Sequence, residues 1–215
     1  MKMCQIKRLT ATLILLGALC SLTATVSAAA LPEFLPGNAG ERFTGTGGAG
    51  TLEVGASEKI VCRESSVTSE NIGMTKKEAL ALFSIKGCSF FGIVGMKSLG
   101  DVEGTVLVHA ELKLCYINLA KKEVGLLSKI LPVHLEVAGK LLVWEGDQVA
   151  KITPTNTKTA KYQLTYEESG GKPKPAGCEG EKEHLTVSVN EGSAIESGWA
   201  TTDQLTYTSE QTLDA

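Results

Sequence analysis

Between residues 105 and 116 an apolar side chain falls on every second position: Val106, Val108, Ala110, Leu112, Leu114 and Tyr116, with Thr105, His109, Glu111 and Lys113 among the residues between them. Successive side chains of an extended chain point to opposite faces, so six matches in a row describe a strand or hairpin with one buried and one wetted face. The same period of two recurs at Val133, Leu135 and Val137, at Tyr162, Leu164 and Tyr166, and at Leu185, Val187 and Val189. Shorter strands are expected around 51–54, 58–63, 123–128, 140–144, 148–152 and 204–208, separated by turn signals such as Gly139-Lys140, Glu145-Gly146-Asp147, Ser169-Gly170-Gly171 and Asn190-Glu191-Gly192. Short strands punctuated in this way predict an all-β fold, an antiparallel β-sandwich or open barrel with little helix. The one helix candidate is Lys76–Phe83, where Ala79, Leu80, Leu82 and Phe83 approximate helical spacing over about two turns.

The first 28 residues have a different character. Lys2, Lys7 and Arg8 precede an apolar run from Leu9 to Val26 that ends in the small residues Ser27-Ala28-Ala29-Ala30. This order is that of a secretory signal peptide, with cleavage after Ala28 or two residues later. Five Ser and Thr residues interrupt the run, against the ~20 continuous apolar residues of a membrane anchor. Leu19 before Cys20 disfavours lipidation there. Residues 29–50 then read as a Gly/Pro-rich lead-in and 51–215 as the β-rich domain, with a split into two small units near Gly146 as an open alternative. The glycines at 45–50 run into Thr51-Leu52-Glu53-Val54 rather than Gly-Lys-Ser/Thr, which excludes a phosphate-cradling loop.

Loss of the signal changes both charge and cysteine content. The whole chain is formally −3, and residues 1–28 carry three positive charges and no acid, so the remainder is −6. An acidic surface without a Lys/Arg cluster gains nothing from counterion release, which excludes nucleic acid and gives no attraction to anionic lipid. Cys4 and Cys20 leave with the signal, and Cys62, Cys88, Cys115 and Cys178 remain. An even number in an exported chain favours disulfides, with three pairings open, and no close Cys pair offers a zinc site.

Several stretches carry a resemblance: Leu31–Gly37 (LPEFLPG), Phe43–Glu53 (FTGTGGAGTLE), Tyr116–Leu127 (YINLAKKEVGLL), Ile152–Asn156 (ITPTN) and Ala200–Leu205 (ATTDQL). Over most of its length beyond the signal the chain resembles a large group of uncharacterised secreted proteins encoded in many copies by some soil actinobacteria. The group implies no activity and no functional residues. A cysteine after the first long strand and a later Gly-Cys recur in it, and Cys62 and Gly87-Cys88 match them. Cys115 stands where the group tends to carry glycine, and Cys178 is equally unusual. The resemblance therefore implies Cys62–Cys88 and Cys115–Cys178.

Chemistry-bearing residues are few. His109-Ala110-Glu111 and His134-Leu135-Glu136 each place an imidazole and a carboxylate on one strand face. Were the two strands neighbours in register, His109, Glu111, His134 and Glu136 would converge as transition-metal ligands; strand alternation alone also demands polar residues there. No cofactor motif and no Gly-x-Ser-x-Gly elbow occurs. Glu167-Glu168 and Glu181/Glu183 flank Gly/Pro turns and read as solubilising charges. Of the aromatic residues, Tyr162 and Tyr166 share a face with Leu164 and read as core. Trp144, beside the turn at Glu145-Gly146-Asp147, is the candidate for a carbohydrate-stacking surface. The expectation is an exported, non-enzymatic β protein with a binding or structural role in the cell envelope or outside it, its partner an envelope polymer or glycan, with no stable membrane insertion once the signal is removed. The alternative is a secreted hydrolase whose site gathers His109, His134 and Glu136.

Overall fold

The structure, a computed structural model, describes residues 32–37, 41–69, 76–179 and 181–215. Residues 1–28, read above as a signal peptide, lie outside them. From residue 31 on the chain is one compact unit. Among the described residues there are fifteen strands and no helix, and all pairings are antiparallel. The strands are β1 (Glu33–Leu35), β2 (Phe43–Gly47), β3 (Gly50–Val54), β4 (Glu58–Cys62), β5 (Glu64–Ser69), β6 (Glu78–Lys86), β7 (Ser89–Phe90), β8 (Val94–Ser98), β9 (Thr105–Asn118), β10 (Glu123–Val137), β11 (Lys140–Thr153), β12 (Lys158–Glu168), β13 (Pro173–Lys174), β14 (Leu185–Val189) and β15 (Ile195–Asp214).

The period-two segment is β9. Val106, Val108, Ala110, Leu112 and Leu114 are buried, and His109, Glu111 and Lys113 are exposed. Its neighbour β10 follows the same rule over much of its length, and the pairings close on themselves in two circuits. One runs β9, β10, β11, β12, β15, β2, β5, β6 and back to β9. The other runs β10, β8, β7, β4, β3, β15, β14, β11 and back to β10. Three long strands are shared. β10 gives residues up to Ile130 to the first circuit and Val133 onward to the second, and β11 passes between them at Gly146. β15 passes between them near Ala200. Gly146, where the sequence offered a split into two units, is the crossing point of continuous strands.

Two expectations are corrected. The helix candidate Lys76–Phe83 falls mostly in β6, which pairs with β5 on one side and β9 on the other. Ala81 and Ile85 are buried, and Leu80 and Leu82 are half-buried on the opposite face. Apolar residues on both faces of a strand imitate a helical stripe. The lead-in at 29–50 is, in its described parts, built into the sheet: β1 pairs with the end of β15, and β2 lies between β15 and β5. Its glycines serve close packing. A Cβ on Gly45 would stand 2.5 Å from Val67 Cγ1, one on Gly50 would stand 2.4 Å from the Trp199 ring, and one on Gly47 would collide with the Asp203 carboxylate. Phe34 and Phe43 enter an aromatic cluster with Tyr162 and Tyr207, whose ring centroids lie 5.0–5.5 Å apart. The Tyr162 hydroxyl donates to the Gln211 carbonyl at 2.7 Å.

Cys62 is bonded to Cys88, and Cys115 to Cys178, the pairing the resemblance implies. The first ties β4 to the start of the β7–β8 hairpin, and the second ties the segment after β13 to β9. Formed disulfides point to an oxidising, non-cytoplasmic location.

Candidate functional site

β9 and β10 separate where the two circuits meet. They pair as far as Ala110 opposite Ile130, after which a register shift in β10 between Ile130 and Val133 turns that strand away to join β8. The cause is local: Leu131 and Pro132 both face outward, and proline has no N–H to give the ladder, so the strand bulges. The wedge between β9, β10 and β8 is an open groove of about 450 Å³, lined by Ser98, Leu99, Leu107, His109, Leu131, Pro132, Val133 and His134. Ser98 closes its floor by accepting the Leu107 N–H at 2.8 Å, and the Leu99 N–H holds the His134 carbonyl at 2.8 Å. Leu99 and Leu131 remain 63% and 42% exposed, an apolar rim on a wetted face.

Both sequence-predicted histidines thus line one groove, but the four-residue metal set does not form. Glu111 lies opposite Lys129 and Glu136 pairs with Lys97 at 3.6 Å, and neither lines the groove. The β9–β10 pairing ends at Ala110 opposite Ile130, so no ladder register sets His109 and His134 opposite each other. Among the described residues no three His, Cys, Asp or Glu side chains gather in a metal-binding arrangement.

Trp144 is not a surface aromatic. It is 3% exposed and packs with Trp199 at 6.0 Å between ring centroids, at the level where β11 pairs with Val133 and Val187. Around it lies a polar interior that alternation does not announce. The Gln148 side chain fills the gap between β11 and β15, donating to the Trp199 carbonyl at 2.6 Å and the Glu167 carbonyl at 3.1 Å and accepting the Trp199 N–H at 2.9 Å. Ser128 and Tyr166 share a hydrogen bond of 2.7 Å, and burial raises the Tyr166 hydroxyl far above its usual range. The free space beside Trp144, Gln148 and Tyr166 is about 30 Å³, room for a single water and for no substrate.

Asp203 is buried opposite Gly47 and accepts a short hydrogen bond from the Ser65 hydroxyl. Burial raises its pKa, and the Ser65 contact opposes the rise only in part. The native state therefore holds the Asp203 proton more tightly than the unfolded chain, and its ionisation weakens the fold. The Asp203 contribution is most favourable below the unfolded pKa of about 3.9 and is lost as pH rises through the folded one. Asp203→Asn, which cannot ionise, is expected to have a higher thermal midpoint than wild type at pH 7, with the gap shrinking toward pH 4. Thermal melts across that range check this, and a gap that widened on acidification would contradict it.

The acids beside the Gly/Pro turns are not all solvated. Glu168 is raised by burial and by a hydrogen bond with Glu53, and the Gly171 N–H donates to it at 3.1 Å. Glu53 is lowered by that same bond and by Lys59 at 3.3 Å. Glu183 is raised by burial and by Asp147. Carboxyls in hydrogen-bond contact are closer than the ~5 Å or more that separates glycosidase pairs.

The feature missed in the sequence is the groove's apolar rim. Its signal is Ile130-Leu131-Pro132-Val133, where alternation lapses around a proline inside a strand. Comparison of the chain with protein-family models, curated proteins and solved structures finds no match.

Proposed function

We propose that this is an exported, non-enzymatic β protein that binds a strand of glycan or a related envelope polymer along the β8–β9–β10 groove. The observation that carries the reading is the groove itself: open, apolar-rimmed, holding two imidazoles and no carboxylate. Its volume lies within the range of ligand sites. Leu99, Leu107, Leu131 and Pro132 offer apolar contact to the C–H faces of sugar rings. His109 and His134, with apolar ring bodies and polar tips, offer hydrogen bonds to hydroxyls. The signal-like segment at 1–28, the acidic remainder and the two disulfides support action outside the cytoplasm. The hydrolase alternative is not favoured, because Glu136 is held by Lys97 outside the groove and the paired carboxyls lie elsewhere.

A glycan and envelope-polymer array tests the reading, with Leu131→Ser as the control because Leu131 is half exposed and its loss leaves the core intact. Leu131→Ser is expected to weaken binding of the captured polymer by about tenfold, the loss of one partly buried apolar contact. Absence of any polymer binding, or equal binding by the variant, would remove the groove from consideration. Histidine-dependent cleavage of the polymer would favour the hydrolase.

A further inference from the structure

Residues 88–96, Cys-Ser-Phe-Phe-Gly-Ile-Val-Gly-Met, carry no charge in a chain that is 21% charged. They form the β7–β8 hairpin, closed by the Ile93 N–H donating to the Phe90 carbonyl at 3.1 Å, with Phe91 and Gly92 at φ 49° and 73°. Hairpin turns with two positive φ values favour Asn-Gly or Asp-Gly, because an L side chain in the left-handed region is strained. Here the first of these positions is phenylalanine. The other non-glycine residues with positive φ among the described residues are Lys122, Ala138, Asn156, Asn190 and Glu191, polar or small in every case. The Phe91 ring is nonetheless 53% exposed, with Ile93 85% and Val94 38% exposed beside it. The ring makes an edge contact with Phe90 at 4.5 Å between centroids, and the Phe91 backbone is fixed by its N–H donating to the Lys59 carbonyl at 2.8 Å. A bulky aromatic in a strained and wetted position contributes little to the fold, and such departures from local rules mark functional positions.

We propose that the β7–β8 tip is a lipid-surface contact, inserting Phe91, Ile93 and Val94 among the headgroups and upper acyl chains of an uncharged or zwitterionic membrane. Size argues against a protein partner. A stable protein interface needs about 20 residues a side, and the exposed apolar tip is three side chains at the end of a hairpin. Charge argues for zwitterionic lipid: residues 88–96 carry none, Lys59 and Glu103 beside the hairpin are one of each sign, and the chain beyond residue 28 is acidic, which gives no attraction to anionic headgroups. The contact is peripheral and reversible, as suits so small an apolar area, and it is independent of polymer binding in the groove.

The test compares the full disulfide-bonded chain with the Phe91→Asn/Ile93→Ser double variant by co-sedimentation with phosphatidylcholine vesicles. Partition of the variant is expected to fall about tenfold or more, the loss of two apolar side chains from the interface. The single variant Phe91→Asn is expected to melt no lower than wild type, because asparagine adopts the left-handed conformation with less strain. A structural role for Phe91 would instead lower the midpoint. The proposal is overturned if wild type ignores the vesicles, if the double variant binds equally, or if phosphatidylserine rather than phosphatidylcholine drives binding. It is equally overturned if sedimentation velocity shows that the double variant abolishes a dimer while vesicles bind neither form.

Discussion

Trp144→Ala is expected to destabilise the fold by about 3–5 kcal/mol, the usual cost of removing a large aromatic from a packed core. The ring is buried against Trp199 and faces Phe83, Ile85, Val108 and Ile130 across a space already too small for more than one water. β11 carries it at the crossing of the two circuits, so the cavity would open where neighbouring strands are held from both sides and cannot collapse into it. With total stabilities of about 5–15 kcal/mol typical of single domains, the variant would be marginal. Trp144→Phe keeps most of the volume, and the indole Nε1 it deletes has no hydrogen-bond partner in the protein. That variant is expected to lose much less, about 1 kcal/mol. Urea denaturation of both variants measures the difference. A Trp144→Ala protein with wild-type stability would mean that the indole is a surface feature after all. Loss of polymer binding in Trp144→Ala is therefore to be read as unfolding, and Leu131→Ser is the informative probe.

The sheet was legible wherever one face is dry and the other wet. In β9 the alternation of Val106 to Leu114 with His109 and Glu111 is the burial pattern itself, and β12 and β14 follow it at Tyr162–Tyr166 and Leu185–Val189. It failed where that contrast fails. β6 is apolar on both faces and imitated a helix, and the glycines of β2 and β3 read as a lead-in outside the β domain although their missing side chains make room for β15. Trp144 read as exposed because a turn signal, Glu145-Gly146-Asp147, follows it. Those residues continue β11 instead, with Gly146 at φ 111° where its Cβ would meet the His184 carbonyl at 2.1 Å. The polar interior of Gln148, Ser128 and Asp203 was invisible for the complementary reason: alternation equates polar with outside. The two histidines of the groove were found, but as metal ligands. Their register depends on a bulge that only the misplaced Pro132 announces, and the groove's rim follows from that bulge.

Removal of the Cys115–Cys178 bond by paired alanine substitution is expected to cost about 4 kcal/mol, from the loop entropy released to the unfolded chain by a cross-link 63 residues apart. Removal of Cys62–Cys88, 26 residues apart, is expected to cost somewhat less, about 3 kcal/mol. The consequences should also differ in place. Beyond its disulfide, the 175–179 segment is joined to the end of β9 and the turn that follows by the Glu179 N–H to the Tyr116 carbonyl and by the Leu119 N–H to Glu179 Oε2, both at 2.8 Å. Loss of Cys115–Cys178 should therefore raise hydrogen exchange first in that segment. Cys88 instead sits within a backbone network in which its N–H donates to the Gly104 carbonyl and its carbonyl accepts from Met96, each at 3.0 Å. Loss of its bond should leave the β7–β8 hairpin paired and act mainly through global stability. Denaturation midpoints and exchange maps of the two double variants separate these effects, and uniform exchange in both would contradict the local assignment. The two costs together, about 7 kcal/mol, match or exceed the whole stability of many single domains. Under reducing conditions the fold is thus expected to be largely lost, which ties this chain's native state to an oxidising location by energetics as well as by cysteine count.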